Sequence, residues 1–503
     1  MHALLLLVAV SLLFADDAFA QDNADDQEAR KARLARLGAG KVKHPPPVGD
    51  VYTLESLIAR SSEVHPLLIA KASRKLYAEL RLEEANWGMF PKFEVTSVLS
   101  AVPNNVDFNN GASNLEKYIA FDIGPLSNNS LKIIFPVYTF GKLDSAQDLA
   151  QLGVDQAELE TRKERLKLNS QLREAFYGAQ LGKMIKAVMV DGVDVIKDEI
   201  ARMDEAREFG DEDVDIVQLR ELQIYESELD TKAVDTSRLV DLTKAALAVL
   251  AQMERDTFDI PNFDENIDPS KLPSLLRCLQ LAQDSRPDVL LLQKAVAARN
   301  HQVDLATSNF YPDLFVGFDL GYSFSTINSI SQEGTATDSS GQEIAINVDP
   351  LSDPFNYFRF GLILGARLKL DPANRYWKLQ QARAQLAETR SLRDAALEGI
   401  DLAVEKRWRE ASDLLQKIAA LERGLKAADR WKLQTGIAYQ SGGADLKNFI
   451  KPLKAFYKAR LLLLQAQYEY RVALVKLSLE IGVDDIEAIA AGLADADLQN
   501  AKP

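Results

Sequence analysis

A proline-to-proline spacing of 25 residues occurs twice in this chain of 503, the second time 221 residues after the first. His65-Pro66-Leu67 is followed by Phe90-Pro91-Lys92-Phe93, and Arg286-Pro287-Asp288 by Tyr311-Pro312-Asp313-Leu314. In the first copy Leu54, Leu57, Ile58, Val64, Leu67, Leu68, Leu76 and Leu80 recur at helical spacing, with a breaker at Pro66 and a stop at Pro91. Each copy therefore reads as helix, proline stop, strand. Later in each copy comes a glycine segment, Phe209-Gly210-Asp211-Glu212-Asp213 and Ser441-Gly442-Gly443-Ala444-Asp445. The proline pairs are offset by 221 and the glycine segments by 232, which places an 11-residue insertion in the longer polar loop of the second copy. Such self-similarity marks an internal duplication. It sets the domain plan: a first repeat over 51–260, a second over 271–483, and a tail over 484–503.

Each repeat has a candidate hairpin after its second proline. In the second copy, Val316, Phe318, Leu320, Tyr322 and Phe324 alternate with Gly317, Asp319, Gly321 and Ser323. Residues 359–369 do the same, with Phe360, Leu362, Leu364, Ala366 and Leu368 opposite Arg359, Gly361, Gly365, Arg367 and Lys369. One face is oily and the other polar or bare, the pattern of a transmembrane β-strand with lipid on one side and a wet lumen on the other. That makes Val316, Phe318, Leu320, Tyr322, Phe360, Leu362 and Leu364 the candidate lipid-facing residues. The alternative is a half-buried strand of a soluble sandwich. Residues 325–358, rich in Ser, Thr, Asn, Gln and Asp, suit an exposed loop. In the first copy, residues 92–101 alternate around Phe93, Val95 and Leu99, and the return strand is expected over 131–139.

After each return strand a helical pattern runs from about Lys142 to Phe209 and from about Ala373 to Gln440. At 1.5 Å per residue, about 68 residues span roughly 100 Å, longer than a globular core needs. Each rod turns at its glycine segment and returns as a shorter helix, which gives antiparallel coiled-coil pairs. Pro452, inside the second return helix, is expected to kink or loosen it.

The chain opens with an apolar run over residues 3–14 ending at Ala18-Phe19-Ala20, which reads as a secretory signal over 1–20. Residues 21–50, charged and broken by Pro45-Pro46-Pro47, read as a solvated extension. Removing Asp16 and Asp17 with the signal takes the formal charge from −15 to −13, which disfavours nucleic acid as a partner. No later stretch offers 18 consecutive apolar residues, so a membrane-spanning mature chain must do so as a closed barrel. The one cysteine, Cys278, excludes an intramolecular disulfide.

Catalytic and metal chemistry find little support. The histidines at 2, 44, 65 and 301 show no metal-ligand spacing, and residues 178–183 miss the spacing and hydroxyl of a phosphate loop. Asp211, Glu212, Asp213 and Asp215 lack the glycine and closing glutamate of a calcium loop and suit a solvated or docking turn. No cofactor, metal or catalytic residue is expected. Trp87, Phe90, Tyr311, Tyr376 and Trp377 near the strand ends suit either an interfacial aromatic girdle or helix packing.

Taken in order, the two proline pairs, Phe135-Pro136-Val137-Tyr138-Thr139-Phe140-Gly141-Lys142, and the run from Ala438-Tyr439-Gln440-Ser441-Gly442 through Ala466-Gln467-Tyr468-Glu469-Tyr470 to Gly482 resemble the TolC-type outer-membrane efflux and secretion channels. The resemblance covers roughly residues 52–482. It implies a mainly α chain with a β-barrel part, in which long antiparallel coiled-coil helices form a periplasmic α-barrel. Four antiparallel strands per chain then contribute to a twelve-stranded transmembrane β-barrel in a homotrimer. It further implies an exit duct in the bacterial outer membrane, extending into the periplasm. The partners would be a periplasmic adaptor (membrane fusion) protein and an inner-membrane transporter of a tripartite efflux or type I secretion system.

The docking tips implied are Gly210, Asp211, Asp213, Gly442, Gly443 and Asp445. Relatives with a defined constriction carry two aspartates just after the second tip; here those positions fall on Asn448 and Lys451. The candidate constriction is thus Asp445, Asn448 and Lys451 without a doubly acidic gate, and Asp445 equally suits a helix N-cap. The competing reading is a non-pore periplasmic or cell-surface coiled-coil protein.

Overall fold

The computed structural model describes residues 51–103, 123–208, 216–254, 258–261, 267, 272–325, 334–337, 343–346, 356–440 and 446–486. The chain divides into two compact units, one made of Met1–Leu76, Gln156–Gln293 and Arg393–Pro503, the other of Tyr77–Asp155 and Lys294–Leu392. These are not the two sequence repeats, since each unit draws on both.

The two proline pairs begin in matching elements. Helix α1 (Leu54–Val64) is capped by Thr53, whose side chain accepts from the Ser56 N–H, and closes with the His65 N–H bonded to Ser61 O. Its counterpart α5 (Leu275–Ser285) is capped by Ser274, which accepts from the Arg277 N–H, and closes with the Arg286 N–H bonded to Ala282 O. Each hydroxyl satisfies a first-turn donor that the helix cannot. Proline then stands at the first position of the next helix, α2 (Pro66–Asn86) and α6 (Pro287–Ser308), where its missing N–H costs nothing.

The first unit is helical. It contains most of α3 (Lys142–Glu208), the whole of α4 (Ile216–Leu250), much of α7 (Pro372–Gln440) and the whole of α8 (Leu446–Ile481). Its apolar residues bury in separate clusters along these helices. Cys278, Leu281, Val404, Ala411, Leu477 and Ile481 form one; Met189, Ile196, Leu219, Leu222, Ile450 and Leu453 form a second. Leu57, Leu172, Phe176, Leu247 and Ile260 form a third. Replacing a fully buried leucine among them, such as Leu477, by alanine costs about 2–5 kcal/mol.

The C-terminal helix ends in a way that explains one of the sequence signatures. Gly482 adopts φ +86°, and its N–H bonds Leu479 O at 3.2 Å while the Val483 N–H bonds Ser478 O at 3.0 Å, a Schellman closure. A Cβ on Gly482 would stand 2.5 Å from Arg286 Cα. Arg286 in turn donates to the Glu480 carboxylate at 2.8 Å and to the Glu480 carbonyl at 2.9 Å. The Arg-Pro-Asp segment is thus the seat of the glycine that ends α8.

The second unit carries a four-stranded antiparallel sheet in the order β1 (Lys92–Pro103), β2 (Ile123–Tyr138), β3 (Asp313–Ser325), β6 (Tyr357–Arg367). Two short strands, β4 (Gly334–Thr337) and β5 (Glu343–Ile346), pair with each other in the segment read from sequence as a plain polar loop. Strand β2 also departs from expectation, beginning at Ile123 rather than residue 131. The polar stretch Ser127 to Ser130 does not break it, because both its edges are paired. Asn129 lies opposite Ser97 on β1 and Tyr322 on β3, and the Ser97 hydroxyl donates to Asn129 Oδ1 at 2.7 Å.

Among the described residues no helix is long and apolar enough to cross a membrane. Pro452 lies within α8, whose helical pattern runs unbroken through it.

Candidate functional site

The strand registers fix which residues share a face of the sheet. Phe93, Ile133, Phe318 and Leu362 form one row across all four strands, and Val95, Leu131, Leu320 and Phe360 the next. Phe135, Val316 and Leu364 continue that face, and Tyr322 pairs with Phe358 on it. Every candidate lipid-facing residue named from sequence therefore falls on one side. On β6 these side chains are bare: Phe360 is 74% exposed, Leu362 79% and Leu364 83%. Large aliphatic groups are seldom left so open to water in a contiguous sheet.

The opposite face carries the charges. The four strands contain seven charged side chains, Lys92, Glu94, Lys132, Asp313, Asp319, Arg359 and Arg367, and the registers put all seven there. Glu94, Lys132 and Asp319 form a row of alternating sign, and Arg359 reaches Asp319 from the neighbouring row at 3.8 Å. Glu94 and Lys132 lie inside the two strands expected from sequence, over 92–101 and 131–139, where parity alone sets them opposite the apolar face.

The two signature motifs of this unit meet where β2 passes into α3. Phe140 and Gly141 take φ of +52° and +85°. The turn brings the Phe140 ring into a stack on Tyr311, centroids 5.0 Å apart. Lys142 Nζ donates to Asp313 Oδ1 at 2.5 Å and to the Tyr311 carbonyl at 3.3 Å. Nearby, Trp87 lies against Phe90 with centroids 4.2 Å apart, and Tyr376 against Trp377 at 5.1 Å. All five aromatics singled out from sequence are 47–62% exposed, so their contacts leave much of each ring uncovered.

Of the expected tips and constriction, Gly210, Asp211, Asp213, Gly442, Gly443 and Asp445 lie outside the described residues. Asn448 is in the first turn of α8, and Lys451 is exposed on the same helix. Just beyond, the Tyr457 hydroxyl donates to Asp191 Oδ2 at 2.9 Å and so joins α8 to α3. Burial, and then that carboxylate, pushes the Tyr457 phenol well above its ordinary range. Among the described residues no group of three metal-binding side chains comes together.

Residues 278–483 match the family described as outer membrane efflux protein. The search of curated proteins finds no match. Solved structures share the architecture, among them three outer membrane proteins. The outer membrane protein VceC of Vibrio cholerae is 16% identical with a TM-score of 0.64, over 86% of this chain and 96% of its own. The MtrE outer membrane channel of Neisseria gonorrhoeae, in its open state, is 14% identical with a TM-score of 0.66, over 88% and 96%. The CmeC outer membrane channel of Campylobacter jejuni is 13% identical with a TM-score of 0.63, over 93% and 95%.

Proposed function

We propose, for a chain that belongs through residues 278–483 to the outer membrane efflux protein family and has the TolC-like channel fold, that three copies close one efflux duct through the outer membrane. The observation that carries this reading is the partition of the sheet. All seven strand charges lie on one face, and the other face is uncharged and largely apolar. A wall with lipid outside and water inside requires that partition, and a soluble coiled-coil protein has no use for it. The four-stranded sheet ends at β1 and β6, and unpaired edges cannot face hydrocarbon, so neighbouring copies must supply the missing partners. Three sets of four strands make a twelve-stranded barrel.

The duct is passive. We assign its loading to a periplasmic adaptor and an inner-membrane pump of a tripartite efflux or type I secretion system. The turns between α3 and α4 and between α7 and α8 would be their docking points, including Gly210, Asp211, Asp213, Gly442, Gly443 and Asp445. Asn448 and Lys451, with Asp445, would stand at the periplasmic constriction, so the narrowing would not rest on a ring of paired aspartates.

Extraction from outer membranes and reconstitution in a planar bilayer tests the proposal. The expected result is a detergent-requiring particle with the mass of three chains that conducts ions in single-channel steps. Full extraction into plain buffer with no conductance would overturn it in favour of the non-pore coiled-coil protein.

A further inference from the structure

On the charged face of the sheet, four consecutive pairs between β3 and β6 each contain one glycine and one larger residue. They are Phe315 with Gly365, Gly317 with Ile363, Asp319 with Gly361, and Gly321 with Arg359, so the glycine changes strand at every step. Two of these pairs are in intimate contact. A Cβ built on Gly365 would stand 2.5 Å from Phe315 Cζ and 2.9 Å from its Cε1, so the ring lies flat over the backbone of its cross-strand partner. The Arg367 guanidinium sits over the same ring, 5.1 Å from its centroid. At the other pair a Cβ on Gly321 would stand 3.0 Å from Arg359 Nε and 3.2 Å from its Cγ. Arg359 is held down there by the Tyr357 ring, 5.1 Å away, and by Asp319 at 3.8 Å.

A glycine in a strand weakens it by leaving nothing to pack, so a run of them has to be explained by what lies over the bare backbone. At Gly365 and Gly321 the explanation is the side chain opposite, for which each glycine is a recess. Side chains directly across a pair have Cβ atoms only about 5 Å apart, so without a recess one of the two must stand off the wall.

We infer that Gly365 and Gly321 are positioning residues that set the bore of the duct, by letting Phe315 and Arg359 fold against the wall. The inference rests on the channel reading, in which this face lines the lumen. Gly361 supplies an internal contrast, because a Cβ there meets nothing within 4 Å.

The test is polymer exclusion. Poly(ethylene glycol) of graded mass is added on the outer side of reconstituted trimers, and the largest polymer that still enters the lumen is read from the drop in current. Gly365→Ala and Gly321→Ala should shift that cut-off to smaller polymers, Gly361→Ala should leave it unchanged, and Phe315→Ala added to Gly365→Ala should restore it. A conducting parent with the same cut-off in Gly365→Ala and Gly321→Ala overturns the inference, as does a shift that Phe315→Ala fails to reverse. Should the glycine variants not assemble, Phe315→Ala alone decides. A ring already against the wall leaves the cut-off where it was, and a larger cut-off means that it projects. A parent that never conducts removes the channel reading itself, a separate outcome.

Discussion

Lys142 Nζ stands 2.5 Å from Asp313 Oδ1, so the first residue of the first long helix is tied to the first residue of the third strand. Each belongs to a motif recognisable in sequence, yet they are 171 positions apart. Lys142 is 19% exposed and Asp313 43%, so the pair is only partly shielded from solvent. A double-mutant cycle with Lys142→Ala and Asp313→Ala should return a coupling of about 0.5–1 kcal/mol, shrinking as salt is added. Thermal melting of the detergent-solubilised protein at two ionic strengths provides the measurement.

Placing a charge on the apolar face of the sheet should block membrane insertion. Leu362 and Leu364 sit on that face of β6, 79% and 83% exposed. Leu362→Arg should cost about 2–4 kcal/mol if it lies near the bilayer midplane, whereas Ile363→Arg, on the charged face, should be tolerated. Fractionation of the two variants between membrane and soluble pools distinguishes them.

Gly482→Ala should be one of the most damaging single-methyl additions. It forces a non-glycine residue into the left-handed region and drives a Cβ to 2.5 Å from Arg286 Cα, between two backbones that have no flexible end to move. A loss of at least about 2 kcal/mol is expected, read as a lowered melting temperature. Gly153→Ala, with nothing within 4 Å of the added carbon, is the matched control and should stabilise α3 slightly.

Stability should fall at high pH through Tyr457. Burial and the Asp191 carboxylate raise its pKa above the ordinary 10.0, so the fold favours the neutral phenol. The stabilisation is complete below pH 10 and is lost as pH climbs from there toward the raised value. Tyr457→Phe should flatten that alkaline loss while removing the hydrogen bond to Asp191. Urea titrations at pH 8 and pH 11 would show whether the difference between parent and variant narrows.

Cys278 should be silent toward thiol reagents in the folded protein. It is fully buried, and burial pushes its pKa up to about 11, so at pH 8 on the order of one thiol in a thousand is ionised even before access is considered. Labelling should appear only with denaturant and should track unfolding of the cluster it shares with Leu281, Val404 and Leu477.

Much of this fold was legible in the sequence because the duplication shows the same physics twice. Caps, proline stops and strand starts recur at an offset of 221, as Thr53 and Ser274, Pro66 and Pro287, and Lys92 and Asp313 show. The apolar face of the second hairpin was readable from period-two alternation alone. What escaped was decided by neighbours rather than by local pattern. Ser127 to Ser130 look like loop residues because β-propensity is a statement about surroundings, and only the strands on either side make that stretch the middle of a sheet. The packing of Phe315 over Gly365 is likewise invisible until the register sets them opposite each other. The glycine tips lie outside the described residues.

The two unpaired margins of the sheet, along β1 and β6, have a consequence for inheritance as well as for shape. In the proposed three-copy closure, every copy contributes both kinds of margin, so a single chain damaged at either one interrupts the whole circumference. In a cell making normal and damaged chains together, intact ducts would then fall with the cube of the normal fraction. A lesion confined to one strand edge would behave as dominant although it abolishes nothing in its own helices.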